Sequence, residues 1–320
     1  MDEFELVDRY FRPLGSVAAG IVLGIGDDCA ILDAPSDEQL VVTTDTHVES
    51  VHFPAGADAR EIAYRSCVTS LSDVAAMGAS ARWASLAMTL PRAADSWLEA
   101  FARGVAEALQ QCGAVLIGGD TTAGPLVITW HIIGTVAAGA ALRRGGAQVG
   151  DLVYVSGTLG DAAGALELGL IDGGSYNKFQ QELRARYWSP QPPFELARKL
   201  CGVATSCIDI SDGLIADLAH IAESSDCGAE VEFSKIPIAP ALLQLAGLER
   251  ARRLAATGGD DYELCFTIPP SCESALLGLA GDAGLSVTQI GRMTSGAGVR
   301  VIADSGATVD LGQVGYRHFE

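Results

Sequence analysis

Short motifs in which an aspartate sits beside a glycine or at the end of a predicted element constrain this 320-residue chain more than any other feature. They occur at six places: Gly24-Ile25-Gly26-Asp27-Asp28, Thr43-Thr44-Asp45-Thr46, Ser72-Asp73, Gly118-Gly119-Asp120-Thr121-Thr122, Asp209-Ile210-Ser211-Asp212-Gly213 and Gly258-Gly259-Asp260-Asp261. A single aspartate after a glycine is typical of a turn or a helix N-cap. Six such motifs in one chain predict instead that acidic side chains converge on a cleft.

Three of these aspartates directly follow predicted strands. Asp45 follows the run 39–44, Asp120 follows 114–117 and Asp209 follows 205–208. Carboxylates that gather without basic partners repel one another unless a cation lies among them, and Mg²⁺ prefers such hard oxygen ligands. The neighbouring glycines let backbone N–H groups approach phosphate oxygens closely. The motifs therefore predict a site for a polyphosphate bridged by Mg²⁺.

Both halves of the chain mix strand and helix patterns. The first half shows strand patterns at 39–44, 82–90, 114–117 and 126–136, and helix patterns at 59–77 and 95–112. The second half shows strand patterns at 152–155, 205–210, 229–233, 262–268, 286–290 and 299–302, and helix patterns at 160–170, 178–188, 194–201, 215–223, 242–254 and 271–283. The glycine- and arginine-containing segment 143–150 between them reads as a linker, so we expect two domains, residues 1–145 and 146–320.

The charge balance excludes several classes of partner. Asp and Glu number 40 against 21 Lys and Arg, which gives a formal charge of -19. Such a surface repels the phosphates of nucleic acids and of anionic membranes. The uncharged stretch 121–142 is interrupted by glycine and proline, so it predicts a sheet strand and not a membrane span. The eight cysteines show no C-x-x-C spacing, which indicates buried thiols in a reducing cytoplasm.

Common nucleotide-binding signatures do not occur in the sequence. It contains no G-x-x-x-x-G-K-[ST] loop and no H-R-D or D-F-G pair, and Gly24-x-Gly26 lacks the third glycine of a dinucleotide fingerprint. The whole chain has three lysines, so phosphate charge has to be neutralised by arginine, backbone N–H groups or metal ions. A calcium-binding module is the non-enzyme alternative, but no EF-hand loop is present. The residues alone leave open which group accepts or releases phosphate.

Taken in order, these motifs resemble those of thiamine-monophosphate kinases, a family of the superfamily that includes aminoimidazole ribonucleotide synthetase and selenophosphate synthetase. The resemblance extends to Gly315-Tyr316 and covers nearly the whole chain. It implies an α+β N-terminal domain followed by an α/β C-terminal domain, the aminoimidazole ribonucleotide synthetase-like two-domain fold. The N-terminal domain would bind metal and ATP and pair in a homodimer, and the C-terminal domain would complete the active site.

The resemblance also implies an activity and a set of site residues. The family transfers phosphate from ATP to thiamine monophosphate with several Mg²⁺ ions. By resemblance, the metal ligands would be Asp28, Thr43, Thr44, Asp45, Asp73, Asp120, Asp209 and Asp212. The ATP contacts would be Gly119, Asp120, Arg144 and Ser211, and the contacts to thiamine phosphate would be His52, Asp260 and Tyr316. Asp260 departs from the family pattern, which often has Glu there, and Arg143 beside Arg144 leaves open which arginine reaches phosphate.

The chemistry of the acceptor suggests a mechanism. Its phosphate oxygen is ionised at neutral pH, so we expect direct in-line transfer with neither a general base nor a phosphoenzyme. Arg144 and Asp120 would be the catalytic residues, because phosphoryl transfer depends on neutralising charge on the transferred group. The competing hypothesis is an ATP-dependent ligase or cyclase of the same fold that acts on a ribonucleotide. Selenophosphate synthesis is disfavoured because neither cysteine nor lysine precedes Gly24.

Overall fold

A computed structural model describes residues 3–15, 19–25, 29–282, 284–312 and 315. Contacts between Cα atoms divide the chain into two compact units. The first consists of Met1–Val74 and Ala79–Gly139, and the second of Ala75–Gly78 and Ala140–Glu320. The segment between Ala137 and Leu152 that joins the last strand of the first unit to the first strand of the second has no helix or strand.

The first unit is built on a four-stranded sheet with two long helices. Its elements are α1 Glu3–Leu6, β1 Ile21–Leu23, β2 Ile31–Leu32, β3 Glu38–Val48, α2 Ala59–Ala76, β4 Ser80–Leu90, α3 Asp95–Cys112, β5 Val115–Ala123 and β6 Val127–Ala137. A π-helical turn at Val7–Phe11 and a 3-10 turn at Arg12–Leu14 follow α1. The strand order is β3-β6-β4-β5, and β1 and β2 form a separate pair. The strand β6 runs antiparallel to both of its neighbours, and β4 and β5 are parallel.

The helices of the first unit follow from their apolar spacing. On α3, Leu98, Phe101, Val105 and Leu109 recur at three- and four-residue intervals and are buried. The helix ends at Gly113, whose φ of 74° is the left-handed conformation that glycine adopts most easily at a helix C-terminus. The helices predicted over 59–77 and 95–112 are thus confirmed as α2 and α3.

The second unit is built on a six-stranded sheet with the order β12-β9-β11-β7-β10-β8. Its strands are β7 Leu152–Ser156, β8 Ser206–Asp209, β9 Gly228–Glu232, β10 Leu264–Ile268, β11 Val287–Thr294 and β12 Gly298–Ile302. Its helices are α4 Asp161–Glu167, α5 Lys178–Trp188, α6 Phe194–Leu200, α7 Leu214–Ser224, α8 Pro240–Ala246, α9 Leu248–Thr257 and α10 Glu273–Asp282. The pair of β9 and β12 is parallel, and the other pairs described are antiparallel.

Two predictions about the strands of the first unit were wrong. The strands β3 and β5 continue well beyond residues 44 and 117, so Asp45 and Asp120 lie inside strands and do not follow strand ends. In β3, the β-branched threonines around Asp45 favour an extended backbone, and Asp45 itself pairs with Trp130 of β6. The third aspartate of that group, Asp209, was predicted directly after a strand and is the last residue of β8, so it does lie at a strand end.

The segment predicted over 242–254 is also divided in the structure. Gly247, with a φ of 75°, separates α8 from α9, because that left-handed backbone cannot continue a helix. The uncharged stretch 121–142 contains β6, as expected for a sheet strand. Among the described residues, no helix is both long enough and apolar enough to cross a membrane.

Candidate active site

Three predicted metal ligands lie together on the face of the first unit's sheet that is turned toward α2. The Thr43 hydroxyl donates a hydrogen bond of 2.5 Å to Oδ2 of Asp73 on α2. Asp45 is two residues further along β3 and therefore points to the same side. Burial, followed by the negative charge of Asp73, raises the pKa of the Asp45 carboxyl to about 6. The two carboxylates thus lie close enough to repel one another.

This pair fits a divalent cation. Within the part of the chain that the structure describes, no lysine or arginine forms an ion pair with Asp45 or Asp73. No three His, Cys, Asp or Glu side chains among those residues are arranged to hold a metal ion by themselves. Two carboxylates and a hydroxyl suit Mg²⁺, which keeps several waters and completes its shell with substrate phosphates. The predicted ligand Asp28 lies outside the described residues.

Thr44 faces the other way from its two neighbours. Its hydroxyl lies 2.8 Å from Nδ1 of His131 on β6, and the next even-numbered residue, Thr46, is 3.0 Å from the hydroxyl of Thr129. This is the period-two alternation of a strand, which sends consecutive side chains to opposite faces. The Thr44 hydroxyl therefore points away from the Asp45 and Asp73 carboxylates, and its role as a metal ligand stays a prediction.

A pair of histidines adjoins the same acidic residues. The Nδ1 atom of His52 accepts a hydrogen bond of 3.0 Å from the Val48 N–H. Its ring meets the ring of His47 edge-on, with centroids 5.7 Å apart. Burial, with smaller contributions from Arg65 and His52, lowers the pKa of His47 to about 3. His47 was not singled out from the sequence, although the alternation of β3 places it on the face of Thr43 and Asp45.

Gly119 and Asp120 lie at the opposite edge of the sheet from Asp45. Asp45, Trp130, Leu86 and Gly119 are partners in one row across the four strands, and Asp120 is in the next row. With strands about 4.8 Å apart, three steps separate the two edges by about 14 Å. Within the first unit, the sheet therefore does not bring Asp120 into contact with Asp45.

A cavity of about 700 Å³ lies beside Gly119 and Asp120. Val7, Phe11 and Ile25 line its apolar part, and the backbone of 118–121 lines the other side. A bulge in the β4–β5 pairing, where Ala84 pairs with Leu116 and Ser85 with Gly118, sets the start of that segment. The volume is typical of a site for a small organic ligand.

The cavity wall contains one charged pair that sequence reasoning missed. The Arg12 guanidinium donates to Asp8 over 2.7 Å and to the Ile25 carbonyl oxygen over 3.0 Å. Both side chains are about half exposed, so the pair itself adds little stability. In the sequence, Arg12 directly follows Phe4, Leu6, Val7, Tyr10 and Phe11, whose spacing predicts a helix, and this gives no sign of a site. Arg12 nevertheless places a positive group on the wall of a cavity that otherwise carries Asp120.

In the second unit, one carboxylate holds the loop that contains three predicted site residues. Asp209 ends β8, and Ser211 and Asp212 lie between β8 and α7. The N–H groups of Ser211, Asp212 and Gly213 each donate to Oδ2 of Asp217 over 3.1 Å. The sequence predicts that backbone N–H groups beside the glycines approach phosphate, whereas the N–H groups of 211–213 donate to Asp217 instead. Burial, followed by the charges of Asp209 and Asp212, raises the pKa of Asp217 to about 7.

Backbone hydrogen bonds join this loop to the loop of Asp260. The Asp260 N–H donates to the Ser211 carbonyl oxygen and the Tyr262 N–H to that of Ile210, each over 2.8 Å. Asp260 and Tyr262 have positive φ values of 71° and 52°, which are strained for residues with side chains and are often found at functional sites. The Tyr262 hydroxyl donates to the Asp260 carboxylate over 3.0 Å. The structure therefore brings Asp209, Ser211, Asp212 and Asp260 into one region, while Tyr316 lies outside the described residues.

Asp261, which follows Asp260, holds the turn before α4 by a hydrogen bond. Both oxygens of the buried Asp261 accept the Gly160 N–H over 2.9 Å, and burial raises the pKa of that carboxyl. Glu263 accepts a hydrogen bond of 2.6 Å from Arg186. Gly157-Thr158-Leu159-Gly160-Asp161 leads from β7 into α4, where a turn can either bind an anion or simply connect a strand to a helix. The Gly160 N–H donates to Asp261, which favours a simple connection.

Arg143 and Arg144 are both exposed in the joining segment. Their main chains are fixed, because the Arg143 carbonyl oxygen accepts from the Cys207 N–H over 2.8 Å and that of Arg144 from the Ser225 hydroxyl over 3.4 Å. Neither guanidinium forms a hydrogen bond within the described residues. Both arginines could therefore reach a ligand, and the choice between them stays open.

Comparison with known proteins identifies the class that this fold and site define. Residues 26–139 match the family described as AIR synthase related protein, N-terminal domain, and residues 148–304 match the corresponding C-terminal domain. The chain is thus an AIR synthase related protein, and the predicted two-domain fold is confirmed.

Three similar proteins narrow the class. The chain is 42% identical to the thiamine-monophosphate kinase of Escherichia coli over 99% of this chain and 98% of the relative. It is 45% identical to the solved thiamine-monophosphate kinase of Stenotrophomonas maltophilia, with a TM-score of 0.88 over 94% of this chain and 96% of the other. A solved structure of AaThiL complexed with AMPPCP and TMP is 30% identical, with a TM-score of 0.79 over 99% and 97%. The chain belongs to the thiamine-monophosphate kinase family.

Proposed function

We propose that this chain transfers the terminal phosphoryl group of ATP to thiamine monophosphate, with thiamine diphosphate and ADP as products. The observation that supports the chemistry is the half-buried Asp45–Asp73 pair, whose mutual repulsion favours binding of a divalent cation. The family supplies the acceptor, since the relatives are thiamine-monophosphate kinases and AaThiL was solved with AMPPCP and TMP.

The first unit would bind the nucleotide and the first metal ions. Asp45, Asp73 and the Thr43 hydroxyl are the residues that would hold one Mg²⁺ ion, and Asp28 and Asp120 would hold further ions. The Thr44 hydroxyl, which points away from Asp45, is proposed as a ligand from the family resemblance alone. Mg²⁺, when bound, neutralises phosphate charge and favours displacement at the terminal phosphorus. The apolar part of the cavity near Phe11 suits a nucleotide base, and Asp120, which lines the same cavity, would hold a metal ion beside the phosphates.

The second unit would supply further ligands and the acceptor site. Asp209 and Asp212 are the remaining proposed metal ligands, and Ser211 offers a hydroxyl to the nucleotide. Asp260, held by main-chain bonds to Ser211, would contact thiamine phosphate with His52 and Tyr316. Arg144, which is exposed, would neutralise charge on the transferred group.

The transfer itself needs no proton acceptor on the protein. An oxygen of the acceptor phosphate attacks the terminal phosphorus of ATP, the new O–P bond forms, and the bond to ADP breaks with its electrons leaving on ADP. Because the attacking oxygen is already ionised at neutral pH, we infer direct in-line transfer without a general base. Recovery of a phosphorylated residue from protein incubated with labelled ATP would contradict this inference.

A coupled mutagenesis and product assay tests the function. Wild-type protein incubated with ATP, Mg²⁺ and thiamine monophosphate is expected to form thiamine diphosphate, read by mass spectrometry. Asp73→Asn preserves the acceptor for Thr43 but removes a charge, so we expect the rate to fall about 100-fold or more and more Mg²⁺ to be needed for half-maximal rate. Asp37→Asn is the matched control, because Asp37 is an exposed aspartate just before β3.

The outcomes separate the alternatives. No thiamine diphosphate from wild-type protein at micromolar concentration would overturn the proposal. ATP consumption that requires a ribonucleotide would favour a ligase or cyclase of the same fold. Thermal stabilisation by Mg²⁺ without any turnover would favour a metal-binding protein.

We also infer, from the family resemblance, a cytoplasmic homodimer that pairs through the first unit. Leu40 and Val42 of the edge strand β3 support this pairing, since they are 50% and 56% exposed on the face turned away from α2. The eight cysteines support the location, because all of them are free thiols. Sedimentation equilibrium is expected to give a molecular mass of twice the 33.2 kDa of one chain. The mass of a single chain at the concentrations used for assay would refute the pairing.

A further inference from the structure

Asp217 occupies an unusual position in the first turn of α7. It is 2% exposed, and one of its carboxylate oxygens accepts three hydrogen bonds from consecutive main-chain N–H groups at 211–213. Its own N–H donates to the Gly213 carbonyl oxygen over 3.0 Å, which keeps it in helical register. The carboxylate therefore reaches back from the helix to the loop that precedes it.

The arrangement reverses the usual use of such a loop. The N–H groups at the start of a helix point in one direction and attract an external anion such as a phosphate. In this chain the acceptor is the Asp217 side chain itself, so three N–H donors are satisfied before any ligand arrives. The N–H groups of 211–213 are thus taken, and the polar groups that this region offers to a ligand include the side chains of Asp209, Ser211 and Asp212.

The loop is held on its other side as well. The carbonyl oxygens of Ile210 and Ser211 accept N–H donors from the 260–262 segment. A methyl group added at Gly259 would lie 2.3 Å from the Ser211 carbonyl oxygen, so the two backbones are in direct contact. The loop thus lies between Asp217 and the 259–262 backbone, and losing the Asp217 bonds removes its support on one of these two sides.

We propose that Asp217 is a positioning residue: without touching metal or nucleotide, it fixes the loop so that Asp209, Ser211 and Asp212 present their oxygens together. This inference rests on the proposed function, which assigns those three side chains to Mg²⁺ and ATP. A displacement of about 1 Å in such a group costs about 100-fold in rate.

Three variants test the proposal. Asp217→Ala removes the acceptor, and we expect kcat to fall by about 100-fold and the Mg²⁺ concentration for half-maximal rate to rise. Asp217→Asn keeps an oxygen acceptor without the charge, which weakens the bonds by about half, so we expect an intermediate effect. Glu223→Gln, an exposed acid on the same helix, is the matched control and is expected to behave like wild type.

Hydrogen exchange gives a readout that does not depend on catalysis. The amides at 211–213 are expected to exchange faster in both Asp217 variants and at the wild-type rate in the control. Faster exchange together with a higher Mg²⁺ requirement supports the positioning role. If Asp217→Ala does not fold, the same pair of measurements on Asp217→Asn decides the matter.

Two results would overturn the inference. Unchanged exchange at 211–213 in Asp217→Asn would mean that the carboxylate does not hold the loop. A lower melting temperature with the wild-type Mg²⁺ requirement would assign Asp217 to stability alone. Failure of the proposed function would appear separately, as a wild-type protein that makes no thiamine diphosphate while its 211–213 amides remain protected.

Discussion

Replacing Gly119 by alanine is expected to damage both stability and activity, for a reason visible in the sheet. A Cβ atom at this position would lie 1.9 Å from the Leu86 carbonyl oxygen and 2.7 Å from the carbonyl carbon. Real Cβ atoms keep at least 3.0 Å from such atoms, so β4 and β5 would have to separate by the difference, about 1.1 Å. The atoms in the way are main-chain atoms of the paired strand, which cannot rotate aside.

The size of both effects follows from that separation. Forcing an extra carbon into a packed region costs about 1–3 kcal/mol, and a weakened ladder hydrogen bond adds about 1 kcal/mol. We therefore expect the free energy of unfolding to fall by about 2–4 kcal/mol. Asp120 is the next residue on β5 and would move with the strand, so the rate should fall by about 100-fold.

Gly118→Ala is the control for stability, because no atom lies within 4 Å of the position its Cβ would take. Scanning calorimetry of the three proteins gives the shift in melting temperature, and initial rates of thiamine diphosphate formation give the loss of activity in Gly119→Ala. Equal melting temperatures for the two alanine variants would refute the steric argument. A destabilised Gly119→Ala with full activity would refute the position assigned to Asp120.

Two further changes test the electrostatics of the chain. Arg186→Ala removes the ion-pair partner of the buried Glu263, 2.6 Å away, so chemical denaturation is expected to show a free energy of unfolding lower by about 3 kcal/mol. Lys178→Ala is the control on the same helix, because Lys178 is 85% exposed and its loss should change that free energy by less than about 1 kcal/mol. Similar losses in the two variants would refute the contribution of the buried pair. Folding lowers the pKa of His47 from 6.5 to about 3, so below pH 6.5 the unfolded chain binds a proton at this residue and the folded chain does not. The free energy of unfolding therefore falls as the pH falls from about 6.5 toward 3. His47→Gln should flatten the decline of urea midpoints between pH 7 and pH 4, the exposed His220→Gln should not, and equal slopes would contradict this assignment.

The regular elements were largely predictable because their patterns are local. The apolar spacing of α3 and the β-branched run of β3 each depend on neighbours within one element. The strand ends were not predictable, because Asp45 and Asp120 are extended through pairing with β6 and β4, and those partners are distant in sequence. A single sequence does not show where a partner strand continues.

The sequence motifs predicted the candidate ligand-binding residues, but the residues that hold them in place could not be predicted. Asp209 follows a predicted strand and Asp212 stands beside Gly213, so the motif that contains them and Ser211 could be found from the sequence. Asp217 was hidden inside a helical pattern, where an aspartate usually marks the solvent face, and its role depends on a loop that folds back over the helix start. Arg12 was hidden in the same way, since only the folded chain places it on a cavity wall.

Two main-chain hydrogen bonds join residues 260–262 to residues 210–211. The distance between these two loops therefore does not depend on how many residues connect them. Residues 214–257 form α7, β9, α8 and α9, yet the distance from Ser211 to Asp260 is set by β8 pairing with β10. Segments inserted at the exposed end of α8, near Gly247, would therefore leave that distance unchanged. The intervening helices can diverge in length among relatives, or accept an engineered tag, while the loops keep their spacing.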